Sequence, residues 1–195
     1  PPSRVFPWGG IVTMRSGWAE DADWAFFDVG QWGWSHQHND MLHLSVAAGG
    51  RTVLTDCGRY WYKPDEFRGY FISSKAHNVV LVDGMVQRPG EKLVDTPMTG
   101  NYAVLPEFDF AVGTFSHGFE RHHFDEEFGK AQIAKAADGQ KMTNDAPVET
   151  VHSRAVVYLR DSMLLVIDRV QSNKPRRLDT LWHFHPDCTV ATDGV

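Results

Sequence analysis

Residues 153–170 read SRAVVYLRDSMLLVIDRV. Two apolar runs rich in Val, Leu and Ile flank the polar triplet Arg160–Ser162. Runs of this length and β-branched content read as strands, and the polar break between them as a hairpin turn. The same pattern recurs on both sides. LHLSVAAGGRTVLTDCG (42–58) is a second hairpin, with Gly49-Gly50 as a two-residue turn that accepts positive φ. HNVVLVDGMVQ (77–87) is a strand running into an Asp83-Gly84 turn, and AFFDVG (25–30) is an earlier strand. NYAVLPEFDFAVGTFS (101–116) alternates Phe108, Phe110 and Val112 on one face, as a half-buried strand does. LDTLWHFHPDCTV (178–190) reads as a late strand. Helical patterns are weak. DEFRGYFISSK (65–75) fits a short helix or an ordered loop, and 129–148 a long polar loop. Many short strands separated by turn signals predict an all-β, antiparallel sandwich.

Composition narrows the function. The chain has 195 residues, 42% hydrophobic and 23% charged, as one soluble globular domain over 1–195 would. No apolar run reaches the roughly eighteen residues of a membrane span. Net charge is −6 with no long Lys/Arg run, which argues against nucleic acid as a partner. An anionic glycan stays open, since a local Arg cluster can act against the global sign. Cys57 and Cys188 fit two buried thiols or one disulfide. The N-terminus lacks the charged-then-apolar pattern of a signal peptide. The chain opens on Pro1-Pro2 and stops at ATDGV, as a piece cut from something longer would.

Ten histidines cluster along the chain. The densest group is SHQHND (35–40). In an extended backbone His36, His38 and Asp40 share one side. Two imidazoles and a carboxylate there fit the start of a metal site, and a polar loop before a strand equally well. Asp56 ends a strand just before Gly58, and His77 begins another. Together His38, Asp56 and His77 offer two neutral nitrogens and one carboxylate oxygen. That set suits Zn²⁺ with water or substrate as fourth ligand. Nothing in the spacing shows that the three meet. Tyr60, Trp61, Tyr62, Arg68 and Tyr70 follow, and rings beside guanidinium groups suit sugars carrying carboxylate or sulfate. About half of such a cluster is expected to be packing. His183 and His185 form a second His-x-His, and His122-His123 fits a solvated loop or rim. There is no G-x-S-x-G elbow and no phosphate-binding Gly loop.

Two stretches, FFDVGQWGWSHQHNDMLHLSVAAGGRTVLTDCGRYWY (26–62) and FRGYFISSKAHNVVLVDG (67–84), resemble the heparinase II/III-like family of polysaccharide lyases. The resemblance lies in an ordered set: H-x-H-x-D, a strand, D-x-G with nearby Tyr, an Arg/Tyr stretch, then A-H-N before a strand ending in D-G. It extends from about Trp8 to Pro186. It implies the β-sandwich of a two-part enzyme, without the (α/α) toroid domain that precedes it in the family. It implies β-elimination on uronic-acid-containing glycans. By the same resemblance His36 matches the catalytic histidine, and His38, Asp56 and His77 match the ligands of a structural zinc. Tyr60, Tyr62 and Arg68 are the expected substrate contacts, and Asp40 a partner that orients an imidazole. The catalytic Tyr would lie on the missing toroid domain, so this chain alone is expected to have little activity. Export to the periplasm or the medium is the family's implication. The alternatives are a non-catalytic glycan-binding or scaffolding sandwich, and a metal-dependent hydrolase weakened by the lack of a nearby base Glu.

Overall fold

The computed structural model describes residues 2–30, 36–62, 66–90, 96–121, 147–160 and 162–192. The polar stretch before Pro147 and the pair His122-His123 lie outside them. Five antiparallel strands form the first sheet: β1 (Arg4–Phe6), β2 (Ile11–Arg15), β3 (Trp24–Asp28), β4 (Leu44–Ala48) and β5 (Arg51–Leu54), in that order. The β4–β5 hairpin turns on Gly49 and Gly50 at φ 56° and 73°. Those angles belong to a type I′ turn, whose twist matches the flanking strands. The chain then makes helix α1 (Glu66–Ile72) and a 3-10 turn (Ser74–Ala76) before β6 (Val80–Val82) and β7 (Val86–Gln87). Asp83 and Gly84 join these last two, again at positive φ.

The second large sheet has the order β12-β11-β9-β8. It comprises β8 (Tyr102–Val104), β9 (Phe108–Phe115), β11 (Thr150–Leu159) and β12 (Met163–Ser172). The hairpin of β11 and β12 pairs ten residues without a slip, from Thr150↔Ser172 to Leu159↔Met163. Small two-stranded ladders join β7 to β10 (Phe119–Glu120) and β6 to β13 (Leu178–Thr180). The large sheets pack face to face. Val12, Met14, Phe27 and Leu44 of the first meet Ala111, Phe115, Val156 and Tyr158 of the second in one buried cluster. The architecture is thus an all-β antiparallel sandwich, as its alternating runs require.

Two segments depart from the pattern reading. In β9 the fully buried face carries Asp109, Ala111, Gly113 and Phe115, while Phe108, Phe110 and Val112 face outward and are half-buried. A carboxylate takes the core side because partners neutralise it. Arg160 donates to Asp109 Oδ1 at 2.5 Å and Ser3 Oγ to Oδ2 at 2.5 Å. The outward phenylalanines are covered in part by neighbouring strands. The same outer face continues to Met163, Leu165 and Ile167 on the edge strand β12, each about half exposed. The second departure is 181–190, where the strand stops at Thr180 and only Phe184 bridges to Leu54. There Thr55 N–H donates to the His183 carbonyl and His185 N–H to the Val53 carbonyl, so the chain leaves β6 for the end of β5.

Breaking the Asp109 pair leaves the Arg160 guanidinium without its carboxylate in a nearly closed site. Asp109→Ala is expected to cost about 3–5 kcal/mol, read as a lowered urea midpoint.

Candidate functional site

The site stands on a buried guanidinium. Arg154 of β11 has no exposed surface. Its Nε and Nη2 donate to Asp168 Oδ1 and Oδ2 at 2.8 and 3.0 Å, across the β11–β12 hairpin. Its Nη1 donates to the carbonyls of Leu42 at 2.9 Å and Asn78 at 2.5 Å, and Trp182 lies against its face. Asn78 extends the tie. Its Nδ2 donates to the carbonyls of Leu44 and Thr55, and its Oδ1 accepts from His183 N–H at 2.6 Å. Backbone on both sides of His43, before Asp56 and after His77 is thereby fixed to one point.

Three histidines and two carboxylates gather on that base. His77 leaves the 3-10 turn, which Ser73 caps through Lys75 N–H. Its Nδ1 lies 2.6 Å from Asp56 Oδ2. Its Nε2 is buried, with no partner of full hydrogen-bond geometry among the described residues, although the Phe71 carbonyl lies near the ring. The His38 ring packs on His77 with centroids 5.2 Å apart. His43 meets His77 edge-on, and its Nε2 is 3.5 Å from Asp56 Oδ2. The described residues hold two groups able to bind a metal ion: His38, Asp40 and His77, and His43, Asp56 and His77. In each, ligand atoms lie within 4.8 Å of one another. His77 therefore belongs to both, with Asp56 and His38 on opposite memberships.

The two groups are not equivalent. His43 Nδ1 accepts the Asn78 N–H at 3.1 Å, which puts the proton of a neutral ring on Nε2, beside Ser45 Oγ and Asp56. Burial drives His43 down to about 4, so the ring is neutral. Its Nε2 lone pair is thus unavailable to a metal. Burial also works against a charged His77, but the Asp56 hydrogen bond and the Asp40 charge carry it above its ordinary value. Burial would raise Asp56, yet its bond to His77 and the adjacent imidazoles bring it to about 2. Desolvation, with the Asp40 charge beside it, pushes the half-buried Asp28 up to about 7. The sequence offered one signal for His43: an imidazole inside the apolar run LHLSV.

His36 points elsewhere. Its backbone is left-handed, φ 60°, so the alternation of an extended chain does not apply to it. Its Nδ1 lies 3.5 Å from the Tyr62 hydroxyl, with ring centroids 5.6 Å apart. Two guanidinium groups flank the Tyr62 ring. Arg59 donates to its hydroxyl and sits 4.6 Å from the ring centroid, and Arg68 of α1 sits 5.3 Å away. Arg68 also donates to the Arg59 carbonyl at 2.5 Å. Tyr62 and Arg68 are thus gathered at His36, whereas Tyr60 stacks on Phe71 of α1 with centroids 5.3 Å apart. Arg59 escaped the sequence reading, though it sits inside the aromatic run GRYWY. Paired cations over a phenol make a surface for a carboxylate or sulfate. His183 belongs to the Asn78 tie and His185 accepts Asp187 N–H, so neither joins the cluster. Cys57 and Cys188 are free thiols. No helix among the described residues is long and apolar enough to cross a membrane.

The sequence profile described as "Heparinase II/III-like, C-terminal" matches residues 1–195. Similar folds occur in three solved structures. The heparan sulfate lyase HepC from Pedobacter heparinus is 21% identical, with a TM-score of 0.64 over 95% of this chain and 24% of its own. The heparinase III of the BT4657 gene product is 18% identical, with a TM-score of 0.65 over 98% of this chain and 25% of its own. A further heparinase III is 17% identical, with a TM-score of 0.52 over 88% and 23%. The chain therefore spans about a quarter of the length of the structures it resembles. No curated protein sequence matches it.

The Asp168 carboxyl tests the base of the site. Burial would raise it, but His152 and Arg154 hold it at about 2, against 3.8 unperturbed. A depressed carboxyl contributes stability above its unfolded value and loses it as pH falls through the folded one. Urea midpoints are expected to fall for the wild type between about pH 4 and pH 2, and to fall less for Asp168→Asn.

Proposed function

From the premise that this chain belongs to the heparinase II/III-like C-terminal family, we propose that it is the β-domain of a polysaccharide lyase acting on uronic-acid-containing glycans. The observation that carries the reading is His36 against Tyr62 between the Arg59 and Arg68 guanidiniums. β-Elimination needs such a corner. The C5 proton is too weakly acidic until the neighbouring carboxylate is neutralised. A base then takes the C5 proton, the C5–H electron pair forms the C4=C5 double bond, and the C4–O bond breaks with a proton delivered to the leaving oxygen. In this reading Arg59 and Arg68 hold the anionic substituent, Tyr62 and Tyr60 bound the sugar, and His36 moves or positions a proton. The remaining acid–base group and the toroid domain belong to the longer parent, so the isolated chain has little activity. A polymeric substrate cannot reach the cytoplasm unaided, which supports export to the periplasm or medium.

The companion proposal is a structural zinc. His77 Nε2, buried with no full hydrogen-bond partner among the described residues, and the His38 ring packed beside it fit a metal of this class. His38, Asp56 and His77 are the proposed ligands. The metal would supply fixed charge that holds the strand ends together. A specific observation favours a second arrangement. Asp56 already bonds His77 Nδ1, the posture of a carboxylate that orients a metal-bound imidazole, and Asp40 converges with His38 and His77. The two carboxylates are separable by experiment. If Asp56 is a ligand, Asp56→Asn abolishes zinc in elemental analysis. If it orients His77, the variant keeps zinc with affinity lowered about 10–100-fold, and Asp40→Asn loses it. His77→Ala is expected to remove the metal and lower the melting temperature in either case.

The lyase reading is tested on the full-length parent by absorbance of unsaturated uronate products. His36→Ala is expected to lower kcat about 10²–10⁴-fold. No product from heparan, alginate, chondroitin or pectic polymers would leave the glycan-binding scaffold as the better description.

A further inference from the structure

A cavity of about 270 Å³ adjoins the site and carries no ionisable side chain among its described lining residues. It lies just under the roughly 300–1,000 Å³ typical of whole small-ligand sites, a size for a single ring rather than an oligomer. Trp8 stands at its mouth, 64% exposed. Thr99, Asn101 and Thr114 supply hydroxyl and amide groups around it. Gly10 and Gly30 of its wall pack backbone to backbone: a Cβ on Gly10 would sit 2.1 Å from Gly30 Cα, so neither position admits a side chain. The rim is tied in place, with Met98 N–H donating to the Pro7 carbonyl at 2.9 Å and Val112 N–H to the Asn101 carbonyl at 2.8 Å. Gly30 and Met41 line this cavity and also the smaller one that contains His38 and Asp40. The two spaces therefore lie on either side of a shared wall.

We propose that this cavity is a subsite for an uncharged pyranose unit of the glycan, stacked on Trp8. An indole face packs on the apolar face of a sugar ring, and short hydroxyl and amide side chains meet its hydroxyls. A carboxylate or sulfate here would be partly desolvated with no cation among the described lining residues to pair with, which disfavours it. The inference rests on the lyase reading for the rest of the glycan. It then names the polymer: one in which a neutral sugar lies near the uronate, rather than a continuous run of uronates or a fully sulfated chain.

The test reads binding separately from catalysis. In the 195-residue chain, the Trp8 indole N–H and the backbone N–H resonances of Gly100 and Asn101 are followed during titration with N,N′-diacetylchitobiose, cellobiose and a glucuronic acid disaccharide. Saturable shifts with a neutral disaccharide are expected at Kd of order 1 mM, the two backbone shifts being lost in Trp8→Ala and kept in Trp8→Phe. In the parent, Trp8→Ala is expected to raise KM about tenfold for a polymer with neutral units while kcat stays unchanged. No saturable shift up to about 10 mM of either neutral sugar, or a stronger response to the glucuronate, overturns the subsite. Neutral-sugar binding in a parent that releases no unsaturated product leaves the subsite standing and removes the lyase reading instead.

Discussion

A charge in a protein interior is tolerated when it is paired and hydrogen-bonded. Arg154 meets that condition with four of its five N–H donors, on Asp168 and two backbone carbonyls, and lies against the face of Trp182. The arrangement converts a cost into a constraint. A guanidinium projects its donors in a fixed fork, so the carbonyls of Leu42 and Asn78 must approach along set directions. Asn78 passes the constraint on to Leu44, Thr55 and His183. Segments far apart in sequence are thereby held at the bottom of one cleft. A hydrophobic residue of the same volume would fill the space without fixing any of them.

That dependence explains what was and was not legible in the chain itself. The hairpins were legible because period-two apolarity and Gly49-Gly50 are local signals. The face that β9 buries was not, because the decisive group is Arg160, fifty-one residues from Asp109. A carboxylate in a strand reads as solvent-facing until its partner is known. The run 181–190 failed for a similar reason. Its apolar alternation suits a strand, but Asn78 and the end of β5 take its backbone groups.

The histidine cluster shows the same division. The ordered motifs pointed to His38, Asp56 and His77; His77 touches each of the other two, while His38 and Asp56 fall in different groups. Spacing could not reveal that His77 is shared by two groups, or that His43 fills one of them with its proton already assigned. Nor could it show that His36 leaves the common face. An i, i+2 argument assumes extended backbone, and a left-handed residue at 36 sends the ring to Tyr62. What separates the His36 ring from that of His38 is thus one backbone angle between near neighbours in sequence.

The outer stripe of Met163, Leu165 and Ile167 has a practical side. It lies on a strand with no neighbour beyond it among the described residues. Unpaired backbone beside exposed aliphatic side chains is a template for intermolecular strand addition. Asp168 gives little protection, because its carboxylate is committed inward to Arg154. Arg169, next along the outer face, is the charge placed to interrupt the stripe. That edge favours self-association in concentrated solution: a lysine at position 165 or 167 would discourage it while leaving the opposite, inward face of the hairpin unaltered.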